Sequence, residues 1–347
     1  MIIINNYKFL NIFLSFYKKY NFIFLIDNYI YKYYIKYILF NIKNIKKHIY
    51  ILKIKSGEKY KNIYTCIKIF NKLNKKNINK KYILFNIGGG VISDLGGFIA
   101  TIYKRGLYFF NIPTTLLSII DASIGGKNGV NINFYKNIIG ILNKPKIIFI
   151  DKKFLLKLNK KNIISGISEI IKYGLIFNKK LYYLIIKNYK YNFNKIIWKK
   201  IIKLSIKIKI KITNKDYKDY NIRKILNYGH TIGHSIETFF LNKNINLSHG
   251  ESIALGFIYE AWLSYKKNIL SFKNFLYIKY NIFKIYKYLY KYIYIIKKNK
   301  NIILNNISID KKNFNKYVNF SLLKNIGNCI YNITLNKKFI KKTLFNL

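Results

Sequence analysis

The sequence predicts an α/β domain over residues 1–151 followed by an all-α domain over residues 152–347. Two observations carry this reading. Between Tyr82 and Asp151, short β-prone apolar runs enter turns that hold glycine or proline, and the first of them leads into a stretch with apolar residues at helical spacing. Beyond residue 152 the apolar runs lengthen and proline disappears, which suits helices.

In chain order, residues 1 to about 80 alternate Ile/Phe/Tyr runs with Lys/Asn punctuation, as alternating strands and helices would, but with poor contrast. Tyr82-Ile83-Leu84-Phe85-Asn86-Ile87 is a short strand entering Gly88-Gly89-Gly90, and from Val91 to Tyr103 the apolar period is helical. Asn111-Ile112-Pro113-Thr114-Thr115 closes a second strand-like run, and Lys146-Ile147-Ile148-Phe149-Ile150-Asp151 reads as a further buried strand. Ile206 to Ile212 is ambiguous. Ile and Lys alternate there as in a strand, whereas Ile201, Leu204, Ile208 and Ile212 sit at helical intervals. No internal repeat is present, and the stretch from about 265 to 300 is low in complexity but too apolar for a disordered linker.

With 347 residues and 51% hydrophobic content, the chain is able to bury two cores. A net charge of +52 ordinarily suggests nucleic acid or an anionic membrane. Here the lysines are spread along the whole chain rather than gathered in an arm, as drift toward codons of A and T alone produces, so neither partner is expected. Cys66 and Cys329 make no disulfide framework, and the N-terminus lacks a basic region followed by an apolar core. No uncharged run of about 18 apolar residues occurs either, and the expectation is a cytoplasmic protein.

Against this monotonous background the rare residues bunch. Ten of the 18 glycines lie between Gly88 and Gly140, the arginines are only Arg105 and Arg223, and three of the four histidines fall within 20 residues. Gly88-Gly89-Gly90-Val91-Ile92-Ser93-Asp94 follows a strand, so its backbone N–H groups and the next helix N-terminus suit a pyrophosphate, although it is not G-x-G-x-x-G. Asp121 to Lys127 holds Gly125-Gly126 before a lysine, a loop whose backbone and ammonium suit an anion. His230 and His234, four apart, project from one face of a helix, and His249 with a glutamate completes a metal set; Glu169, Glu237 and Glu251 are the rivals. Lys209, Arg223 and Asn227 precede His230, and Arg223 offers a fixed fork to phosphate or carboxylate.

Taken together, in order from Ser56 to Asp310, these motifs closely resemble the 3-dehydroquinate synthase family. The resemblance implies a homodimer in which a Rossmann-like NAD-binding α/β domain precedes an all-α, metal-binding domain, with the active site between them. It implies conversion of 3-deoxy-D-arabino-heptulosonate 7-phosphate to 3-dehydroquinate and phosphate. The route is transient oxidation by NAD, phosphate elimination, re-reduction and intramolecular aldol closure, a lyase reaction overall, with zinc or cobalt as the metal. The substrate is thus a small, anionic, phosphorylated sugar acid.

Carried over by position, the metal ligands are Glu169, His230 and His249, and His234 faces substrate instead. NAD contacts fall on Asp27, Glu58 and Lys61, on Gly89, Gly90, Val91, Ile92 and Asp94 of the glycine turn, on Thr114 and Thr115, and on Lys127, Lys136 and Asn137. Substrate contacts fall on Asp121, Lys127, Lys136, Lys172, Lys209, Arg223, Asn227 and His234, and on a lysine of Asp310-Lys311-Lys312, taken as Lys312. Arg105 matches an arginine that reaches the neighbouring subunit's site. Ser93 stands where the family has glycine, Asn128 where threonine is common, and Tyr217 where an acidic residue is expected. Another sugar-phosphate cyclase or a metal-dependent polyol dehydrogenase of the same fold group is the alternative.

Overall fold

The computed structural model describes residues 1–42, 49–132, 135–190, 192–193, 195–245, 247–309 and 317–344. They divide into two compact units, Met1–Asn159 and Lys160–Leu347. The first runs β1 (Ile2–Ile4), α1 (Tyr7–Ser15), β2 (Asn21–Asp27), α2 (Asn28–Asn41), β3 (Ile49–Ile54), α3 (Ile63–Lys75), β4 (Tyr82–Gly88), α4 (Gly90–Ile102), β5 (Tyr108–Pro113), β6 (Lys127–Ile132), β7 (Tyr135–Leu142) and β8 (Ile147–Phe149).

Six of these strands form one parallel sheet, in the order β1-β8-β5-β4-β2-β3. Parallel sheets are covered on both faces, and that is why β2 reads as an unbroken apolar run from Phe22 to Ile26 and β4 as an apolar run interrupted by Asn86. Along β2, Phe22, Phe24 and Ile26 join the core beneath α1 and α2, while Ile23 and Leu25 join the opposite core with residues of α3 and α4. The chain steps outward from β2 to β3, then returns past β2 to β4, so the direction of winding reverses between β2 and β4. In an open α/β sheet the crevice at the carboxyl ends of such strands is where ligands bind. Asp27 ends β2 there, and Gly88 ends β4.

Helix α4 is seated by two asparagines. A Cβ on Gly96 would lie 1.8 Å from Asn86 Oδ1, and one on Gly97 would lie 2.0 Å from Asn128 Oδ1. Asn128, at the position where threonine was expected, also donates to the carbonyls of Gly126 (3.1 Å) and Asn143 (2.8 Å). Ser93, the other departure in this region, sits buried with its hydroxyl 3.1 Å from that of Ser118. Both changes therefore bring their own hydrogen bonds, which a buried polar group requires.

The second unit runs α5 (Lys160–Phe177), α6 (Lys179–Asn188), α7 (Ile196–Lys215), α8 (His230–Asn242), α9 (His249–Lys266), α10 (Phe272–Ile285), α11 (Tyr290–Lys298), α12 (Lys300–Ile309), β9 (Tyr317–Asn325), β10 (Asn328–Asn336) and α13 (Lys337–Thr343). The ambiguous Ile/Lys stretch is helical, within α7. Lys203, Lys207 and Lys211, four apart, line its exposed side, while Ile201, Ile208 and Ile212 are buried. The unit is helical as expected, with one antiparallel hairpin, β9–β10, added to an otherwise all-α expectation. In β9, Val318 is buried between exposed neighbours, and Phe320 to Leu323 are buried in succession. Among the described residues, no helix is long and apolar enough to cross a membrane.

Candidate active site

In the first unit the predicted cofactor residues meet at the carboxyl edge of the sheet. Lys61, only 5% exposed, donates to Asp94 Oδ2 (2.5 Å) and Asn137 Oδ1 (2.7 Å). Asn131 ties in Glu58, donating to its Oε1 at 2.9 Å, and accepts from the backbone N–H of Asn137, also at 2.9 Å. Burial works against the Lys61 ammonium, but Asp94 and Glu58 outweigh it and hold its pKa above the ordinary lysine value. Asn131 is the member of this cluster absent from the predicted contacts.

Beside it, α4 starts at Gly90 with no side-chain cap, so its first N–H groups face the crevice as donors. A Cβ on Gly89 would stand 3.1 Å from Thr115 Cγ2, so the turn is closed around small residues. These features fit the diphosphate of a dinucleotide. Asp27 caps α2 through Tyr29 N (2.8 Å) and accepts from Ser56 Oγ (2.7 Å). Thr114 is buried, Asp121 lies in a π-helical turn over Ser118–Ala122, and Lys127 and Lys136 are exposed on the β6–β7 hairpin.

Removing the cation of this cluster is expected to strand Asp94. Lys61→Met should destabilise the protein by about 2–3 kcal/mol, and adding Asp94→Leu should restore most of it, because the cost is the uncompensated charge. Urea unfolding of the single and double variants measures both.

In the second unit, α8 and α9 each begin on a histidine, His230 and His249. His230 Nδ1 lies 3.1 Å from the carbonyl of Tyr228, and His249 Nδ1 lies 3.2 Å from Glu237 Oε2. Both partners are acceptors, so each Nδ1 carries the proton and each Nε2 keeps its lone pair. Those two Nε2 atoms face Glu169 Oε1, at 3.4 Å from His230 and 4.0 Å from His249. Glu169 is buried on α5, and its Oε1 accepts no hydrogen bond.

Two imidazole nitrogens and a carboxylate oxygen converging on one point are a donor set that fits a divalent cation. Burial, and next Lys172, lowers the pKa of His230, which keeps its lone pair available. Burial would raise that of Glu169, but above all the Lys172 ammonium beside it outweighs this and holds the carboxylate well below its ordinary range. The nitrogens of His230, His234 and His249 also lie within 4.8 Å of one another, so His234, exposed one turn along α8, adjoins the same point. The rival Glu251 is committed elsewhere: it closes the capping box of α9 with Ser248 and accepts from Tyr288 at 2.5 Å. Glu237 stands behind His249 rather than beside Glu169.

The predicted anion-binding cations come from three elements of this unit. Lys172 on α5 ion-pairs with Glu169, Lys209 is the buried lysine of α7, and Arg223 is 2% exposed in the 3-10 turn Ile222–Asn227, which also carries Asn227. The loop before that turn is shaped by Asp216, whose carboxylate accepts from the backbone N–H groups of Tyr220 (3.1 Å), Asn221 (2.7 Å) and Arg223 (3.1 Å). Arg223 Nη1 then donates to Tyr217 O at 2.7 Å, a backbone contact indifferent to the side chain at that departure. Arg105 is exposed on the first unit, and Lys312 lies outside the described residues.

Burial works against the Asp216 charge, but the N–H groups of Asn221, Arg223 and Tyr220 outweigh it and hold its pKa below the ordinary value. A lowered folded-state pKa means the stabilisation is present above the unfolded pKa and is lost as pH falls through the folded one. The stability difference between wild type and Asp216→Asn should be constant from about pH 7 to about pH 5 and shrink below about pH 4. Urea titrations across this range read it directly.

A 3-dehydroquinate synthase N-terminal family model matches residues 51–165, and a 3-dehydroquinate synthase C-terminal model matches residues 166–313. The chain is 40% identical over 301 residues to a 3-dehydroquinate synthase of Pelagibacter ubique, covering 83% of this chain and 80% of that one. It is 38% identical over 308 residues to one of Clostridium tetani, covering 88% and 79%. Among solved structures, a 2-epi-5-epi-valiolone synthase of Streptomyces hygroscopicus subsp. jinggangensis, with NAD+ and Zn2+ bound, is similar in fold, with a TM-score of 0.84 at 18% identity over 99% of this chain and 94% of that one. A 2-deoxy-scyllo-inosose synthase with carbaglucose-6-phosphate, NAD+ and Co2+ has a TM-score of 0.79 at 21% identity over 98% and 95%.

Proposed function

This chain belongs to the 3-dehydroquinate synthase family, and from that premise we propose how its residues divide the reaction. It is an NAD- and divalent-metal-dependent lyase that converts 3-deoxy-D-arabino-heptulosonate 7-phosphate to 3-dehydroquinate and phosphate. When bound, NAD supplies a reversible hydride acceptor and the metal a Lewis acid.

The single observation carrying the metal assignment is the facing of the rings: each Nδ1 lies against an acceptor, and both Nε2 atoms turn toward Glu169 Oε1. Glu169, His230 and His249 hold the metal, and His234, exposed and one turn away, faces substrate and moves its protons. In the first unit, Lys61, Asp94, Asn137 and Glu58 form the polar wall of the dinucleotide site. There, Gly89, Gly90, Val91 and Ile92 present the start of α4 to the diphosphate, with Asp27, Thr114 and Thr115 along the same strand ends. Lys172, Lys209 and Arg223 of the second unit answer the substrate's two anionic groups, with Asn227 on the turn that carries Arg223. Buried cations are worth most where a departing phosphate develops charge, because little water screens them.

Arg105 and Lys104 both have left-handed backbone, with φ of 62° and 51°, in an exposed turn. Such strain at non-glycine residues is found where a side chain must be aimed. It supports an arginine held out toward a second subunit and hence a homodimer, which sedimentation velocity tests. Two free cysteines accord with a cytoplasmic location.

The decisive experiment follows phosphate and 3-dehydroquinate together, from purified protein with NAD and zinc. Equal amounts of both without accumulating NADH are expected. Net NADH production, or no phosphate from folded zinc-loaded protein, would overturn the reading.

A further inference from the structure

Helices α8 and α9 share an arrangement that spacing along the chain does not contain. Each presents a histidine in its first turn, and each sends a carboxylate from a later turn to the other helix's histidine turn. Gly229 gives α8 no side-chain cap; Glu260 of α9 takes that place, accepting from the N–H of Gly229 at 2.6 Å and of Ile232 at 3.1 Å. In return Glu237 of α8 lies 3.2 Å from His249 Nδ1. Glu260 is fully buried and Glu237 is 6% exposed.

We infer that Glu237 and Glu260 are positioning residues, a reciprocal brace that holds His230 and His249 at the separation the metal requires. The inference rests on the ligand reading above. Glu260 neutralises orphan donors at the positive end of α8, which fixes the backbone that carries His230. Glu237 fixes the ring plane and tautomer of His249 and makes its Nε2 a better donor. The helices meet without slack between these points. A Cβ on Gly256 would fall 2.0 Å from Gly229 O, and one on Gly233 would fall 2.7 Å from Ile253 Cδ1. A slip of one helix past the other therefore moves both Nε2 atoms at once.

The test uses full-length apo-protein of Glu237→Gln, Glu260→Gln, the double variant and His249→Ala. Zinc affinity is read by chelator competition, and the ligand field by the visible spectrum of bound cobalt(II). Each Gln variant is expected to bind zinc about 10–100-fold more weakly, with an altered cobalt spectrum. At saturating zinc, kcat should recover while KM is unchanged. The double variant should depart from the product of the two single effects, since both act on one helix pair. If Glu260→Gln does not fold, Glu260→Asp replaces it with the same expectation. Zinc affinity within twofold of wild type in both single variants would overturn the brace. If His249→Ala abolishes cobalt binding in that series, the ligand reading survives that failure. If His249→Ala binds cobalt as tightly as wild type, the ligand reading fails and the brace with it.

Discussion

His249→Ala is expected to lower kcat/KM by about 10³-fold or more while leaving the fold intact, since a Lewis acid at the reacting oxygen contributes several kcal/mol. The fold should survive because His249 carries little of it. Its side chain is 31% exposed, and the helix it begins is capped by Ser248 and Glu251, which the substitution leaves in place. The zinc should be lost on dialysis, because Glu169 and His230 alone make an incomplete set for a catalytic site. Zinc content by elemental analysis, far-ultraviolet circular dichroism and phosphate release separate the three statements. Retained zinc with retained turnover would show that the metal is held elsewhere, for instance by His234 with His230.

Gly229→Ala should produce the largest loss of stability from a single methyl group. Gly229 has φ 77° and ψ −13°, a left-handed conformation that costs an ordinary residue about 1–2 kcal/mol. Its Cβ would also stand 2.3 Å from Phe257 Cδ1, on a ring stacked against Tyr228 with centroids 5.5 Å apart, and such overpacking costs about 1–3 kcal/mol more. The sum, about 2–5 kcal/mol, corresponds to a fall in Tm on the order of 10 °C for a unit of this size. Because Gly229 immediately precedes His230, zinc affinity should fall together with Tm. Gly256→Ala, which drives a methyl group against Gly229 O from the opposite helix, should do the same. A Gly229→Ala protein with unchanged Tm would mean that this turn is far softer than its packing indicates.

Legibility in the sequence varied with the kind of residue. Glycines and histidines stood out, because drift toward Lys, Asn, Ile and Tyr makes any other residue conspicuous. The strand, glycine turn and helix from Tyr82 to Ile102 are found where the apolar run, the glycines and the helical apolar period placed them. The first 80 residues were harder, since α2 is written with tyrosines and isoleucines, the same residues that fill the strands. Propensity is a weak guide when one composition serves both states, and burial against the sheet decides instead. The hairpin β9–β10 was lost in the same way.

The glutamates show the other limit. Only five occur in the chain, and four of them, Glu58, Glu169, Glu237 and Glu251, stood out as candidates, whereas Glu260 carried no signal. Which does what depended on neighbours brought from far along the chain: Glu58 on Asn131, Glu169 against His230 and His249, Glu237 on His249, Glu251 on Ser248 and Tyr288, and Glu260 on the first turn of α8. By itself the sequence determined the α/β then helical order, the glycine turn, the family and the residue types available for a metal and an anion. Those are properties of local spacing and of side-chain chemistry. Tertiary structure alone decided which carboxylate faces which histidine, which nitrogen keeps its lone pair, and which buried groups brace the site. Those depend on angstrom-scale distances between separate helices, and a hydrogen bond or metal bond exists only within such distances.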